Sequence, residues 1–482
     1  MPAALPLYIP TSALSLELDG FVAISAANRA GFADARSTFE CTLPHLSSDL
    51  GYFVLAGVDP LLDALERFKL KTDELAWLES IGAIDEPTKR RLADMRFSCD
   101  VDAAAEGTVV FPGVPVVSIE GPYWQAQVVS AVVRAALSAQ TLAATKASRY
   151  ALAADGCEII ESAAATADRL GGNPQIARAA YVGGASATTC ALAARRYRIP
   201  VRASLPLRFA HAADGEQSGF ESWLGASQDR AILRIDHRNA QASVQAAIAA
   251  VKNRSAGSSW HDQDVAIEIG GGDLVEIAAI VLSAFKKAGL GEPVLVGSGR
   301  WIDEHVIADF RSREAPFAAF IVSSLELGEP GWLADFDLSA IERGGQWVPR
   351  MRFGKNLASS SDPGRKQTIR YIDGDDRPMA DVAHATNERI GSAKDLKFVE
   401  RATGFAARLK AASGAPLLSN VMRNGKRVNA AEDAKKIRDR VSAGLSALPE
   451  RYRRLRAPAI YPVGASGALA ALNSDLIAAA RS

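Results

Sequence analysis

From about residue 150 to 330, short apolar runs alternate with amphipathic stretches. The apolar runs are CEIIES at 157–162, PVRASL at 200–205, AILRID at 231–236, VAIEIG at 265–270, PVLVGS at 293–298 and FAAFIV at 317–322. Between them the pattern predicts helices over Ala240–Lys252, Gly272–Ala288 and Asp303–Ser312. Strand–helix alternation with apolar strands implies a parallel sheet covered by helices. Six such units in about 200 residues fit an α/β barrel better than an open sheet, although spacing alone leaves the open sheet standing.

The flanking regions differ in texture. Residues 53–98 read as helical, through VDPLLDALERF, TDELAWLESIG and DEPTKRRLADM, with helix starts at Thr72 and Asp85. EGTVVFPGVPVVSIEGP, from Glu106, is strand and turn chemistry, and a long helix begins near Tyr123. Beyond residue 345, WVPRMRFGKN and KQTIRYIDG read as strands and the last 90 residues as polar helix and loop. The domain expectation is 1–145, 146–345 and 346–482.

Composition narrows the class. The chain has 482 residues, 48% hydrophobic and 23% charged, which is ordinary for a globular protein and excludes disordered and collagen-like classes. Lys+Arg and Asp+Glu balance at 55 each, which argues against a protein built to coat nucleic acid or an acidic membrane. Between Arg423 and Arg456 there are 11 basic and 4 acidic residues, but interleaved acids and leucines read as a solvated helical face. The most apolar stretch, Trp124–Thr145, carries Gln125, Gln127, Arg134 and Gln140 and reads as a buried helix, not a membrane span. Cys41, Cys99, Cys157 and Cys190 are widely spaced, so neither a zinc site nor a disulfide framework is expected, and a cytoplasmic setting is the default.

Candidate chemistry sits where strands end. Gly270-Gly271-Gly272-Asp273 follows a strand and opens a helix. It is either a phosphate or sugar loop, or a tight turn with Asp273 as helix cap. Ser298-Gly299 and Ser323-Ser324 occupy equivalent places, with the same two readings. Asp236-His237-Arg238 offers a carboxylate and an imidazole for proton transfer, or a capping Asp with solvated neighbours. Asp303-Glu304-His305 are adjacent on a helix and point apart, and the other histidines are scattered, so no metal site is expected.

Six ordered segments together resemble the nicotinate phosphoribosyltransferase family. They are YFVLAGVDPLLDALERFKLKTDELAWL, EGTVVFPGVPVVSIEGPYWQAQVV, QTLAATKASRYALAADG, ARAAYVGGASATT, DPGRKQTIRYIDG and RVSAGLSALPERYRRLRAPAIYPVGAS. The resemblance implies an α/β protein with an irregular, TIM-like α/β barrel and an N-terminal α/β domain to which the C-terminal segment returns. It implies a homodimer with active sites between subunits, small-molecule substrates, and neither nucleic acid nor membrane as partner. The implied reaction joins nicotinate, or a related aromatic acceptor, to C1 of phosphoribosyl diphosphate, which arrives as its Mg complex. No tightly bound cofactor is implied.

The resemblance also places residues. The family's phosphorylated histidine falls on Leu207, with Arg208 beside it and His211 four residues on, so coupling to ATP is not expected. The Arg-Leu-Asp-Ser-Gly-Asp-Leu motif falls on Glu268–Leu274, and the Gly-Val-Gly-Thr turn falls on Ile321–Ser324. Arg169 is the nearest cation to an expected Arg-Arg pair at Ala164 and Ala165, and Phe21 takes the place of an aromatic that stacks on pyridine. With Ser298 and Gly299 added from their place at a strand end, the substrate-binding set is Phe21, Arg169, Arg208, Gly271, Gly272, Ser298, Gly299, Ser323 and Ser324. His211, Asp236 and Asp273 are the candidate catalytic residues. The alternative is an inactive or retooled relative that binds a nucleotide, a pyridine or a protein.

Overall fold

A computed structural model of the chain describes residues 17–162, 174–226, 231–255, 265–325, 327, 332–354 and 360–481. The chain forms two compact units, residues 1–145 with 327–482, and residues 146–326. Asp335–Arg343, within the span expected for the barrel, belongs to the first unit because it pairs antiparallel with Arg36–Thr42.

The first unit is built on mainly antiparallel sheets, with one parallel pair, Pro378–Ala385 beside Val463–Ala465. A seven-stranded sheet runs in the order Gln346–Pro349, Asp335–Arg343, Arg36–Thr42, Pro115–Pro122, Asp100–Ala103, Ser419–Arg423, Lys426–Arg427. Late strands thus lie beside early ones, as Ser419 opposite Ala103 illustrates. A second sheet of six strands lies wholly beyond residue 365. The sequence reads most of this region as loop and helix. Its strands, such as Leu396–Glu400 and Ala406–Leu409, are short and carry Lys397, Glu400 and Arg408, which hides their alternation.

The helices expected over 53–98 are present as Val58–Glu66, Thr72–Ser80 and Glu86–Ala93. Asp85 caps the last by accepting from the Thr88 N–H. Before Thr72, the Lys71 N–H donates to Glu74, so Thr72 is the first helical residue and not the cap. Leu61, Leu65 and Leu78 from these helices enter one core with Val116 and Ile119 of the sheet. The long helix is broken into Tyr123–Val128 and Ser130–Ala154. No described helix is long and apolar enough to cross a membrane. All four cysteines are free thiols.

The second unit carries a six-stranded parallel sheet. Its strands, numbered within this unit, are β1 (Glu158–Glu161), β2 (Ala187–Thr188), β3 (Ala231–Arg234), β4 (Val265–Ile269), β5 (Val294–Ser298) and β6 (Ala319–Val322). The order is β2-β1-β6-β5-β4-β3, every pair parallel. PVRASL does not form a regular strand. Its residues instead make two isolated parallel bridges, Thr188 to Val201 and Ser204 to Ile232, which link the edge strands β2 and β3. Helices Ala240–Ser255, Leu274–Lys287 and Glu304–Ser312 follow β3, β4 and β5, as the pattern predicts.

Candidate functional site

Successive side chains of a strand point to opposite faces, so residues two apart share a face. On one face of the parallel sheet, Ile160, Ala187, Ile232, Ala266, Val296 and Ala319 pack into an apolar layer, one from each strand. Two residues further along β3, β4 and β5, the same face carries Arg234, Glu268 and Ser298. The register places Arg234 opposite Glu268 and Val296 beside it. A polar layer thus lies above an apolar one at the carboxyl end of the strands, the end where α/β sheets hold their ligands.

The layer is tightly bonded. Glu268 is 2% exposed and accepts from the Ser298 hydroxyl at 2.5 Å and from the Ser204 hydroxyl. Arg234 Nε stands 3.5 Å from the Glu268 carboxylate, and its side chain remains 35% exposed. Glu268 therefore fixes the guanidinium while leaving part of it open to a ligand. A second buried carboxylate, Glu161 at the end of β1, accepts from Thr188 at 2.6 Å.

The glycine run fits against these side chains. A Cβ on Gly270 would stand 2.7 Å from Arg234 Nη2 and 3.0 Å from Ser298 Oγ, and one on Gly271 would stand 2.8 Å from the His237 ring. Gly272 has φ +73°, which glycine adopts without strain. Close approach, as well as turn geometry, explains why this loop lacks side chains.

The sequence-derived candidates fall in different environments. Asp236 follows β3, capping the turn His237–Asn239, and accepts from the Arg238 N–H at 3.0 Å and its Nη2 at 2.7 Å. Those bonds hold its carboxyl at about 2, so it stays ionised and clamped at neutral pH. Asp273 caps Leu274–Lys287, accepting from the Val275 and Glu276 N–H groups. His211 and Arg208 are exposed on the short helix Leu207–Ala212, with Leu207 half-buried. Among the described residues no hydrogen bond or ion pair joins His211, Asp236 and Asp273 to one another. Ser298 lies in the polar layer, and Gly299 (φ +153°) runs under the Trp301 indole. Ser323 and Ser324 follow β6, where the Tyr150 hydroxyl donates to the Ser324 carbonyl at 2.9 Å. Arg169 lies outside the described residues.

Phe21 is 2% exposed, on the helix Leu18–Arg29 in the core of the first unit. Phe21→Leu is therefore expected to cost about 1 kcal/mol of stability and to leave KM for an aromatic acceptor unchanged. Denaturant melts and steady-state kinetics check this. A several-fold rise in KM at unchanged stability would assign the ring to substrate instead.

Glu268 opens the span matched to the Arg-Leu-Asp-Ser-Gly-Asp-Leu motif, in the place of its arginine, but no motif marks Arg234 or Ser204 as its partner. The signal was present as charged residues at alternate positions of otherwise apolar strands, AILRID and VAIEIG. A further cluster comes from the helix Ser130–Ala154, within the segment QTLAATKASRYALAADG. Lys146 and Arg149 both reach Glu304, at 2.5 and 2.8 Å, and Arg149 and Glu304 are nearly fully buried. Burial pushes the Glu304 carboxyl up, but Lys146 and Arg149 outweigh it and hold the group at about 2. Asp303 caps the helix that Glu304 begins. No group of side chains suited to holding a metal ion occurs among the described residues.

Comparison with known proteins places this architecture in a class. The nicotinate phosphoribosyltransferase N-terminal domain matches residues 22–138, and the C-terminal domain of the same family matches residues 365–473. Both spans lie in the first unit. A nicotinate phosphoribosyltransferase of Mycobacterium tuberculosis, pncB1, is 30% identical over 357 residues, covering 72% of this chain and 75% of its own length. The nicotinate phosphoribosyltransferase of Bacillus subtilis is 25% identical over 443 residues, 91% of this chain and 89% of that protein. The crystal structure of human nicotinic acid phosphoribosyltransferase has the same fold, with TM-score 0.75 at 22% identity, covering 96% of this chain and 99% of that one. The chain belongs to the nicotinate phosphoribosyltransferase family.

Proposed function

We propose that this chain is a nicotinate phosphoribosyltransferase of NAD biosynthesis, and that its second unit is an irregular α/β barrel closed through residues 201–204. Nicotinate, or a closely related aromatic acid, attacks C1 of phosphoribosyl diphosphate through its ring nitrogen. The C1–O bond to diphosphate breaks, giving the mononucleotide and free diphosphate. The observation that carries the reading, beside family membership, is the Arg234–Glu268–Ser298 layer at the carboxyl end of the parallel strands. Arg234 supplies a fixed, partly open cation for an anionic substrate, and the glycine loop lets the substrate approach the backbone. Mg enters with the diphosphate substrate. Catalysis here is positioning and electrostatic stabilisation as positive charge develops on the sugar and negative charge on the departing diphosphate. We further propose a cytoplasmic homodimer.

Leu207, where the family resemblance places a phosphorylated histidine, has no nucleophilic atom. The chain is therefore expected to form nicotinate mononucleotide at the same rate with and without ATP. Chromatographic assay of the purified chain with nicotinate, phosphoribosyl diphosphate and Mg tests both statements. Absence of product with nicotinate and with a panel of aromatic acids and amides overturns the activity, and strict dependence on ATP overturns the uncoupled reaction. Leu207 together with the engaged state of Arg234 also favours a second reading, a relative that binds a pyridine or nucleotide without turnover. That reading requires thermal stabilisation by nicotinate mononucleotide, about 2.7 kcal/mol at 100 times Kd, with no product formed.

A further inference from the structure

Asp236 and Arg238 are engaged with each other, and their bonds fix the residue between them. The Asp236 carboxylate accepts from the Arg238 N–H, and the Asn239 N–H donates to the Asp236 carbonyl at 3.1 Å, which closes the turn His237–Asn239. The turn is tied to the helix Ala240–Ser255, because the Asp236 N–H donates to the Ser243 hydroxyl at 3.0 Å. His237 thus stands on a backbone set by local bonds, just past the carboxyl end of β3 and its Arg234.

Gly271 shows how the imidazole lies. A Cβ on Gly271 would stand 2.8 Å from His237 Cε1 and 2.9 Å from both Nδ1 and Nε2. Approach in the plane of the ring, toward Cε1, would leave both nitrogens distinctly further away. Near-equal distances to all three atoms put Gly271 over the flat of the imidazole. The ring therefore lies face-down on the glycine loop. His237 is exposed, so what it offers outward is the opposite face and the edge. Gly270, whose Cα is about 3.8 Å from that of Gly271, lies against the Arg234 guanidinium. Two planar groups thus stand on adjacent glycines, a cation on Gly270 and a π face on Gly271.

Nicotinate has the matching parts, a flat ring and a carboxylate. Aromatic rings pair as offset stacks, and a guanidinium pairs with a carboxylate through parallel hydrogen bonds. Phe21, which the family resemblance sets against the pyridine, is buried in the core of the first unit and has no face to offer. We propose that His237 is an acceptor-binding residue, on whose outer face the aromatic acid stacks with its carboxylate turned to Arg234. This rests on the proposed transfer to nicotinate and adds the residue that selects a flat ring.

Steady-state kinetics, with calorimetric titration by nicotinate mononucleotide, test it on the full chain. His237→Ala is expected to raise KM for nicotinate about fivefold to tenfold, and to leave KM for phosphoribosyl diphosphate within about twofold. Mononucleotide binding should weaken by the same factor as nicotinate. His237→Phe keeps a ring face without nitrogens and should restore most of both, whereas His237→Gln keeps polarity without a ring and should not. Gly271→Ala sets a Cβ where the imidazole lies and should also raise KM for nicotinate. Combined with His237→Ala it should add little, since both remove one contact. The titration needs no turnover, so it reads His237 even in an inactive chain. A wild-type chain that neither uses nicotinate nor binds the mononucleotide overturns the nicotinate reading and this inference together. Where the wild type does either, three results overturn this inference alone. They are His237→Ala matching wild type, Gln restoring as well as Phe, or KM for phosphoribosyl diphosphate moving in place of KM for nicotinate.

Discussion

Replacing Arg234 with alanine is expected to lower kcat/KM for mononucleotide formation by about 100- to 1,000-fold, the usual effect of removing one preorganised electrostatic group. The expectation rests on placement. Arg234 is set by the two-residue period of β3 on the face that holds the apolar layer, one step nearer the carboxyl end. Its partner Glu268 is itself fixed by the Ser204 and Ser298 hydroxyls, so the guanidinium is held before substrate arrives. Arg234→Lys keeps the charge but not the planar fork, and should recover only part of the loss. Kinetics on variants with unchanged circular dichroism decide the matter. Activity within about threefold of wild type in Arg234→Ala would remove this residue from the site.

Glu304→Gln is expected to cost about 3–5 kcal/mol of stability, because it leaves the buried Arg149 and the half-buried Lys146 without their carboxylate. Denaturant melts check this directly. The same group sets a pH dependence. Its folded pKa, about 2, lies below the ordinary 4.5 because Lys146 and Arg149 together override burial. A depressed carboxylate pKa contributes stability that is fully present above pH 4.5 and is lost as pH falls toward 2. About 2.5 pKa units correspond to about 3 kcal/mol. Stability of the wild type should therefore fall more steeply between pH 4.5 and 2 than that of Glu304→Gln. Parallel curves would mean that the Glu304 pKa is not depressed.

Some of this site was visible in the chain and some was not. The strand runs and the helices after them follow from local periodicity, and β3, β4 and β5 lie where it puts them. The glycine loop was visible as a motif, but its reason was not. Arg234 and His237 stand over Gly270 and Gly271, a contact made across strand ends that no local pattern encodes. Asp273 was open between cap and phosphate loop, and its bonds to two N–H groups describe a cap. Glu304 looked like one of three disconnected polar residues. Its partners lie 155 and 158 positions away on another helix, beyond the reach of any sequence period.

The sequence by itself determined the alternation of strand and helix, the apolar faces and the family likeness, because each depends on residues near one another in the chain. Only the tertiary structure decided which polar residues meet. Strand register placed Arg234 beside Glu268, the pairing of residues 36–42 with 335–343 joined segments about 300 positions apart, and packing buried Phe21. These depend on registers and contacts between distant segments, which are fixed by burial of the whole core rather than by any single stretch of sequence.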